Sequence, residues 1–361
     1  MLGASGGSSW PMSSHDPEAT NFNSGETSLT PGNLRHLHPV WKQTGHLSGF
    51  VVASGRVYAA FPQGILVLQP RTGKRLMLVT LRSLHLTSAL LAVNLAYSRG
   101  VLVVATHDAI IAIQAHSGRF LWSFPVSFTT GVLVQGTTVF TGSYCFNGCP
   151  TRALDLRTGK ILWENATGGL LQAIVGGRVY EGLLWHGSCQ NRVLSADSGA
   201  LITILPSCTQ PIGAGNHLYA EVFPGDAHRP NMLGGLSPAG RLTWSIPLGK
   251  ADEHPLALGY GTIFAAAHGR RDALVAVSTR AKRVLWRRPV EGSSALLLAS
   301  HMVFVVDKES RSVKVLTVAS GRTIRTIRVP GSDKSNPLSG TVVADGAVYA
   351  WLFNGLVAMR P

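Results

Sequence analysis

Four cysteines, Cys145, Cys149, Cys189 and Cys208, crowd into the middle of a 361-residue chain. Thiols in that number can pair as disulfides or hold zinc as thiolates. Neither close pair has the C-x-x-C spacing usual for zinc, so two disulfides are the preferred reading and a four-thiolate site its competitor. Four cysteines permit three connectivities, and spacing alone does not choose among them. Paired thiols would place the protein in an oxidising compartment.

Other groups able to do chemistry are scattered. His107 with Asp108, His186, Asp226 with His228 and Arg229, His268 to Asp272, and Asp307 to Glu309 all sit between apolar runs, where loops are expected. Three histidines from such loops could meet and hold a metal, but a set of separate, solvated loop residues is preferred. His36 and His38 have one residue between them and flank an apolar strand, so they are read as packed or solvated. No G-x-S-x-G nucleophile, phosphate loop or helix-borne H-E-x-x-H is present. The triplet Asn165-Ala166-Thr167 is read as an ordinary loop after a strand.

The elements that would carry these loops are repetitive. In "LDLRTGKILWE" (154–164) an apolar run breaks at Thr158-Gly159-Lys160, then resumes: two short strands and a tight turn. Related turns stand at Gly73, Gly118, Gly159, Gly199, Gly240, Lys282 and Gly321, a period near 40 residues. A second hairpin interleaves with the first, its second strand marked by Tyr58, Leu102, Phe140, Tyr180, Tyr219, Phe264, Phe304 and Tyr349. Two hairpins per period make a four-stranded blade, and eight inner hairpins make an all-β, eight-bladed β-propeller of antiparallel blades. The last blade, "GTVVADGAVYAWLFNGLVAMRP", stops one strand short. Residues 37–45 supply that strand, with Trp41 placed as Trp122, Trp163, Trp244 and Trp286 are at the ends of their blades, so the chain ends close the ring. Residues 1–36 then form a partly extended leader, and 37–361 a single propeller domain.

Propeller topology puts the second-to-third strand loops and the interblade loops on one face. Cys145, Cys149 and Cys189 precede third strands and Cys208 follows a fourth, so all four share that face. Cys145 with Cys149 and Cys189 with Cys208 are the favoured pairs. The second would contribute on the order of 3 kcal/mol by loop closure.

Lysine and arginine total 32 against 18 carboxylates, a formal charge of +14. Arg71, Lys74, Arg75, Arg119, Arg157, Lys160, Arg241, Arg280, Lys282, Arg283 and Arg322 all lie at the recurrent outer turns, which predicts a basic collar on the face opposite the cysteines. Solvated turn tips are the simplest account. Specific nucleic-acid binding is not expected, because no aromatic stacking platform accompanies the charge. No apolar run reaches the roughly 18 residues of a spanning helix. The opening "MLGASGGSSW" lacks the basic head and apolar run of a signal peptide.

The outer hairpin, D/A-x-x-T/S-G-x-x-x-W, together with the segment "WPMSSHDPEATNFNSGETSLTPGNLRHLHPVW" (10–41), resembles the pyrroloquinoline-quinone-like (PQQ-like) repeat family of bacterial eight-bladed propellers. The resemblance implies that the tryptophan ending a blade docks on the glycine turn of the adjoining one. Trp41, Trp122, Trp163, Trp244 and Trp286 would do so, while Met77, Thr203 and Arg325 depart and should leave looser junctions. The family contains quinoprotein dehydrogenases and non-catalytic propellers such as the outer-membrane assembly lipoproteins. The dehydrogenase branch carries adjacent cysteines over the quinone, a calcium-binding set with a catalytic aspartate, and a longer chain, none of which can be placed here. The resemblance therefore implies a non-catalytic, monomeric binding or assembly scaffold in an extracytoplasmic compartment (secreted, periplasmic or cell-surface). Its partner would be a protein or an anionic envelope component, and no cofactor is expected. The alternative is a minimal dehydrogenase for an alcohol or sugar, using PQQ with calcium.

Overall fold

The computed structural model describes residues 8–86, 90, 92–143, 150–185, 188–205, 208–223, 230–237, 239–249, 255–267, 272–290, 293–307 and 310–361, with the backbone alone at 92–93, 183–185, 188–189 and 208. Eight antiparallel sheets follow one another around a ring, each a meander from an inner to an outer strand. Blade 1 comprises Gly49–Ala53, Arg56–Phe61, Gly64–Leu68 and Arg75–Thr80. Blade 3 comprises Thr129–Gln135, Thr138–Ser143, Thr151–Asp155 and Ile161–Asn165. Blade 4 comprises Leu170–Val175, Arg178–Trp185, Ser188–Ser195 and Leu201–Leu205. Blades 2, 5, 6 and 7 repeat the pattern. The only helices among the described residues are two three-residue 3-10 turns, Leu34–His36 and Arg82–Leu84.

Closure follows the sequence expectation. Blade 8 takes Leu338–Ala344, Ala347–Leu352 and Gly355–Arg360 from the C-terminus and His38–Thr44 from the other end as its outer strand, with Trp41 opposite Ala358 and Thr44 opposite Gly355. That pairing satisfies an edge which a linear array would leave open.

Burial explains the composition of each strand. Second strands such as Val101–Thr106, Thr262–Ala267 and Met302–Asp307 are buried at every residue, because both faces of a blade press on neighbours. Outer strands alternate instead: in Ile161–Asn165 only Trp163 is buried.

The recurrent outer turns have one geometry. The N–H of the residue at the tip donates to a carbonyl four residues back at Gly73, Gly118, Gly159, Gly199, Lys282 and Gly321 (2.8–2.9 Å), and three back at Gly240. All seven tips have positive φ, from +55° at Lys282 to +75° at Gly240, which explains glycine at six of them. In blades 2, 3, 4, 6 and 7 the outer turn also leans on the inner turn of its blade, as where Ala196 N–H donates to Gly177 O. Inner and outer turns therefore share one face, called here the turn face. The connections between second and third strands, and between blades, emerge on the other, the loop face.

Candidate functional site

The leader does more than precede the ring. From Trp10 onward it circles the inside of the turn face, crossing the inner strands near their C-terminal ends. Trp10 O accepts from Val52 N–H and Pro11 O from Tyr97 N–H; Pro17 O, Glu18 O, Thr20 O and Asn21 O then accept from Ile174, Gly213, Leu258 and Leu298 N–H, in blades 4 to 7 in turn. Phe22–Asn23 adds a short parallel strand to blade 7, and Asn23 Nδ2 donates to Val343 O of blade 8. The segment from Trp10 to Asn23, turning at His15, Ala19 and Asn21, thus meets inner-strand backbone from seven blades and floors the central channel with Trp10, Ser13 and Asn21. The sequence suggested a partly extended leader but not this path, since all but the Asn23 bond to blade 8 are backbone to backbone and leave no side-chain signature.

Glu26 fastens the end of the circuit. Its buried carboxylate accepts from Ser8 Oγ (2.5 Å), Ser28 N–H (2.7 Å), Gly346 N–H (2.8 Å) and Leu29 N–H (3.3 Å), tying the leader to the inner turn of blade 8. Earlier in the leader, burial and the neighbouring Asp16 raise the Glu18 carboxyl above its ordinary value.

Above this floor the channel opens to the loop face. A cavity of about 210 Å³ is bounded by the leader and by inner strands of blades 1, 2, 7 and 8, including Phe50, Asn94, Leu95, Leu297 and Thr341. It shares Ser48, Ser339 and Trp351 with a cleft of about 360 Å³ that also touches His46, His107 and Phe353. Of the chemistry-bearing loop residues, His107 reaches this cleft, while Asp307 is spent on Ser310 N–H (2.9 Å) and Ser310 Oγ (2.5 Å). His36 and His38 stay exposed beside the closing strand, His36 accepting from Arg35 Nε. His186, Asp226, His228, Arg229, His268 to Arg271 and Glu309 lie outside the described residues. Among the described residues no three histidines, cysteines or carboxylates come together to hold a metal.

The proposed disulfides likewise fall outside the described side chains. Cys145 and Cys149 are not described; Cys189 stands in the third strand of blade 4 opposite Leu184, and Cys208 opens blade 5, with backbone positions only.

Four blade junctions share one contact. The Nε1–H of Trp41, Trp122, Trp163 and Trp286 donates to Pro70, Leu156, Ala196 and Val318 O in the next outer turn, at 2.8–3.0 Å. Each indole lies flat against that turn's glycine, so a Cβ added at Gly73 or Gly159 would fall 2.6 Å from a ring carbon. Trp244 keeps the strand register, opposite Gly235, but the next tip is Lys282, which has a Cβ; the indole is half-buried with Nε1 against Gly235 of its own blade. Met77 stands against Gly118 in place of an indole. Arg325 faces the closure, where no turn exists, and donates instead to Leu34 O of the leader (2.7 Å).

Blades 3 and 4 share a second, polar contact besides the Trp163 indole. The position after the second-strand marker is Ala, Val or Thr in the other seven blades, as at Ala59, Val103 and Thr141, but Glu181 in blade 4, fully buried, paired to Arg192 at 2.9 Å and hydrogen-bonded by Thr151 of blade 3. Arg192 also donates to Thr167 O and to Asn165 Oδ1 (2.9 Å), so the Asn165 triplet is part of this junction. Burial raises the Glu181 carboxyl above its ordinary value, against the lowering influence of Thr151 and Arg192.

The outer edge of blade 4 is unusual as well. Every other outer strand contains a charged residue or a proline; Leu201–Leu205, Leu-Ile-Thr-Ile-Leu, has neither. Leu201, Ile202 and Ile204 are each about half exposed, as are Ile161 and Leu162 on the outer strand of blade 3.

Residues 32–197 and 231–360 match the protein family described as outer membrane protein assembly factor BamB, most of the ring including its closure. The chain belongs to this BamB-like propeller family. No protein of curated function matches it by sequence. Among solved structures it resembles BamB from Moraxella catarrhalis (16% identity, 90% of this chain and 100% of that one, TM-score 0.65). It resembles a europium-containing methanol dehydrogenase to a similar degree (13%, 96% and 90%, 0.67). A computationally designed protein, Ika8, scores alike (15%, 90% and 98%, 0.67), so at these identities the likeness speaks for the BamB-like fold alone.

PQQ would bring three carboxylates and, with calcium, a demand for acidic ligands. The described residues bounding the central cavity are apolar, hydroxyl or amide, with neither a cationic partner nor a carboxylate among them. They do not fit that group.

Proposed function

We propose that this BamB-like propeller is a non-catalytic protein-binding scaffold in an extracytoplasmic compartment, and that it receives its partner at the outer edge of blade 4. The observation that carries this reading is the Leu201–Leu205 strand. Among the described residues its outward backbone groups have no strand beside them, its exposed side chains are aliphatic, and no charge or proline within the strand protects it. Natural sheets blunt such edges unless something covers them. A partner strand added here would gain main-chain hydrogen bonds, with Ile161 and Leu162 extending the apolar contact. The family match supports a scaffold, and the lack of charged groups among the described residues of the channel lining speaks against a quinone there.

A photo-crosslinking residue at Ile202, in the protein in its native cells, should give one discrete protein adduct, and the same residue at the exposed Thr326 of blade 7 should not. The reading fails if position 202 gives no adduct. It also fails if purified protein takes up PQQ one to one with calcium and reduces a dye with an alcohol or aldose.

A further inference from the structure

The charge is concentrated on the turn face. Because the outer turns of blades 1 to 7 are built alike and hang from equivalent strands, their tips lie on one circle at one end of the ring. Blade 1 offers Arg71, Lys74 and Arg75 there, and blade 6 offers Arg280, Lys282 and Arg283, all exposed. Blades 2, 3, 5 and 7 add at least one exposed cation each; the blade 4 turn adds none, so the collar is broken where the apolar edge lies.

None of the collar cations forms an ion pair among the described residues. Of the nearby carboxylates, Glu26 is held by the leader, Asp345 by Arg360 (2.8 Å), and Asp155 by its own turn, where the Thr158 hydroxyl and backbone N–H groups hold its carboxyl below the ordinary value; the exposed Asp197 stands in the blade 4 turn, where the collar is broken. The leader floors the channel at this end, so the face is a closed plate rimmed with positive charge.

We infer that the turn face docks on an anionic lipid bilayer, with the collar against the headgroup phosphates. Shape favours a bilayer over a polynucleotide: tips on one circle can all reach a plane at once, whereas a duplex lying across the ring would touch two arcs. Nor does the collar interleave aromatic rings for bases to stack on. Cations near an anionic membrane surface add their effects and are screened by salt. Docked this way, the protein holds its ring parallel to the membrane and leaves the loop face and the blade 4 edge free.

Sedimentation with vesicles tests the inference on the whole chain. At 0.1 M salt the protein should partition roughly tenfold or more better onto phosphatidylcholine vesicles with 30% phosphatidylglycerol than onto pure phosphatidylcholine, and the gain should vanish at 1 M salt. Arg71→Glu/Lys74→Glu/Arg280→Glu/Arg283→Glu should abolish it. Arg82→Glu/Arg287→Glu/Arg328→Glu/Lys334→Glu, the same charge change off the collar, should retain most of it. Should the collar variant not fold, Arg71→Glu/Lys74→Glu alone carries the comparison. Equal loss in both variants would reduce the effect to net charge and overturn the inference. So would the absence of a phosphatidylglycerol-dependent gain, or tighter binding to duplex DNA than to the anionic vesicles.

Discussion

Gly159→Ala isolates the junction between blades 2 and 3. The substitution does two things: it forces an L residue to hold φ +68°, and it places a Cβ 2.6–2.9 Å from three carbons of the Trp122 indole. The backbone cost alone is about 1–2 kcal/mol. Carbon pairs rest at roughly 3.5–4.0 Å, so the ring must back away by about 1 Å. That loosens the packing of a side chain only 7% exposed and stretches its 3.0 Å bond to Leu156 O. Removing the ring altogether, Trp122→Ala, should cost about 3–5 kcal/mol, and this sets the scale for Gly159→Ala at about 3–4. Gly136→Ala is the control, an inner-turn tip of the same blade with φ +63° and open space around the new Cβ, where only the backbone cost should appear. In a Trp122→Ala background the Gly159→Ala cost should also fall to about 1–2 kcal/mol, a coupling of roughly 2. Urea unfolding of the four proteins in the cycle, with the Gly136 control, measures all of this. Equal costs at Gly159 and Gly136, or no coupling to Trp122, would refute the account of how blades are fastened.

Glu26→Gln puts an amide where four donors converge on a carboxylate, and should cost about 2–3 kcal/mol and make the leader accessible to protease; an unchanged urea midpoint would show that the leader's fastening is incidental. Arg192→Met removes the cation that pulls the raised Glu181 carboxyl back down. The folded chain should then hold this proton to higher pH than the unfolded chain, which releases it near 4.5, so this stability should be full at low pH and be lost as pH rises through the raised folded value, more steeply than in the parent; urea midpoints against pH that run parallel in the two proteins would contradict this. If the cysteines are paired, unreduced protein should weigh about 4 Da less than reduced, peptide mapping should join Cys189 to Cys208, and reduction should lower the melting temperature while leaving the ring folded. Four free thiols would remove the cysteine argument for an oxidising compartment.

The periodicity of the chain determined its architecture. Strand chemistry and turn chemistry are local, so a glycine at six of the seven outer tips and an aromatic in seven of the eight second strands count the blades without reference to contacts between them. The missing strand was legible for the same reason: a repeat one strand short, and a spare Trp41 strand at the other end, admit one repair. The basic tips, too, could be placed on one face by strand direction alone. Tertiary structure decided what depends on contacts between distant segments. The leader's circuit is made by backbone carbonyls that any sequence could offer. Trp244 shares the register of the docking tryptophans and leans on its own blade, because the neighbouring tip carries a Cβ. Arg325, which looked like a lost tryptophan, meets the leader because blade 8 has no outer turn to dock against. Glu181 and Arg192 stand opposite one another in neighbouring strands of blade 4; only the ring brings Thr151, Asn165 and Thr167 from the blade 3 side against them, and that makes burying a charged pair tolerable.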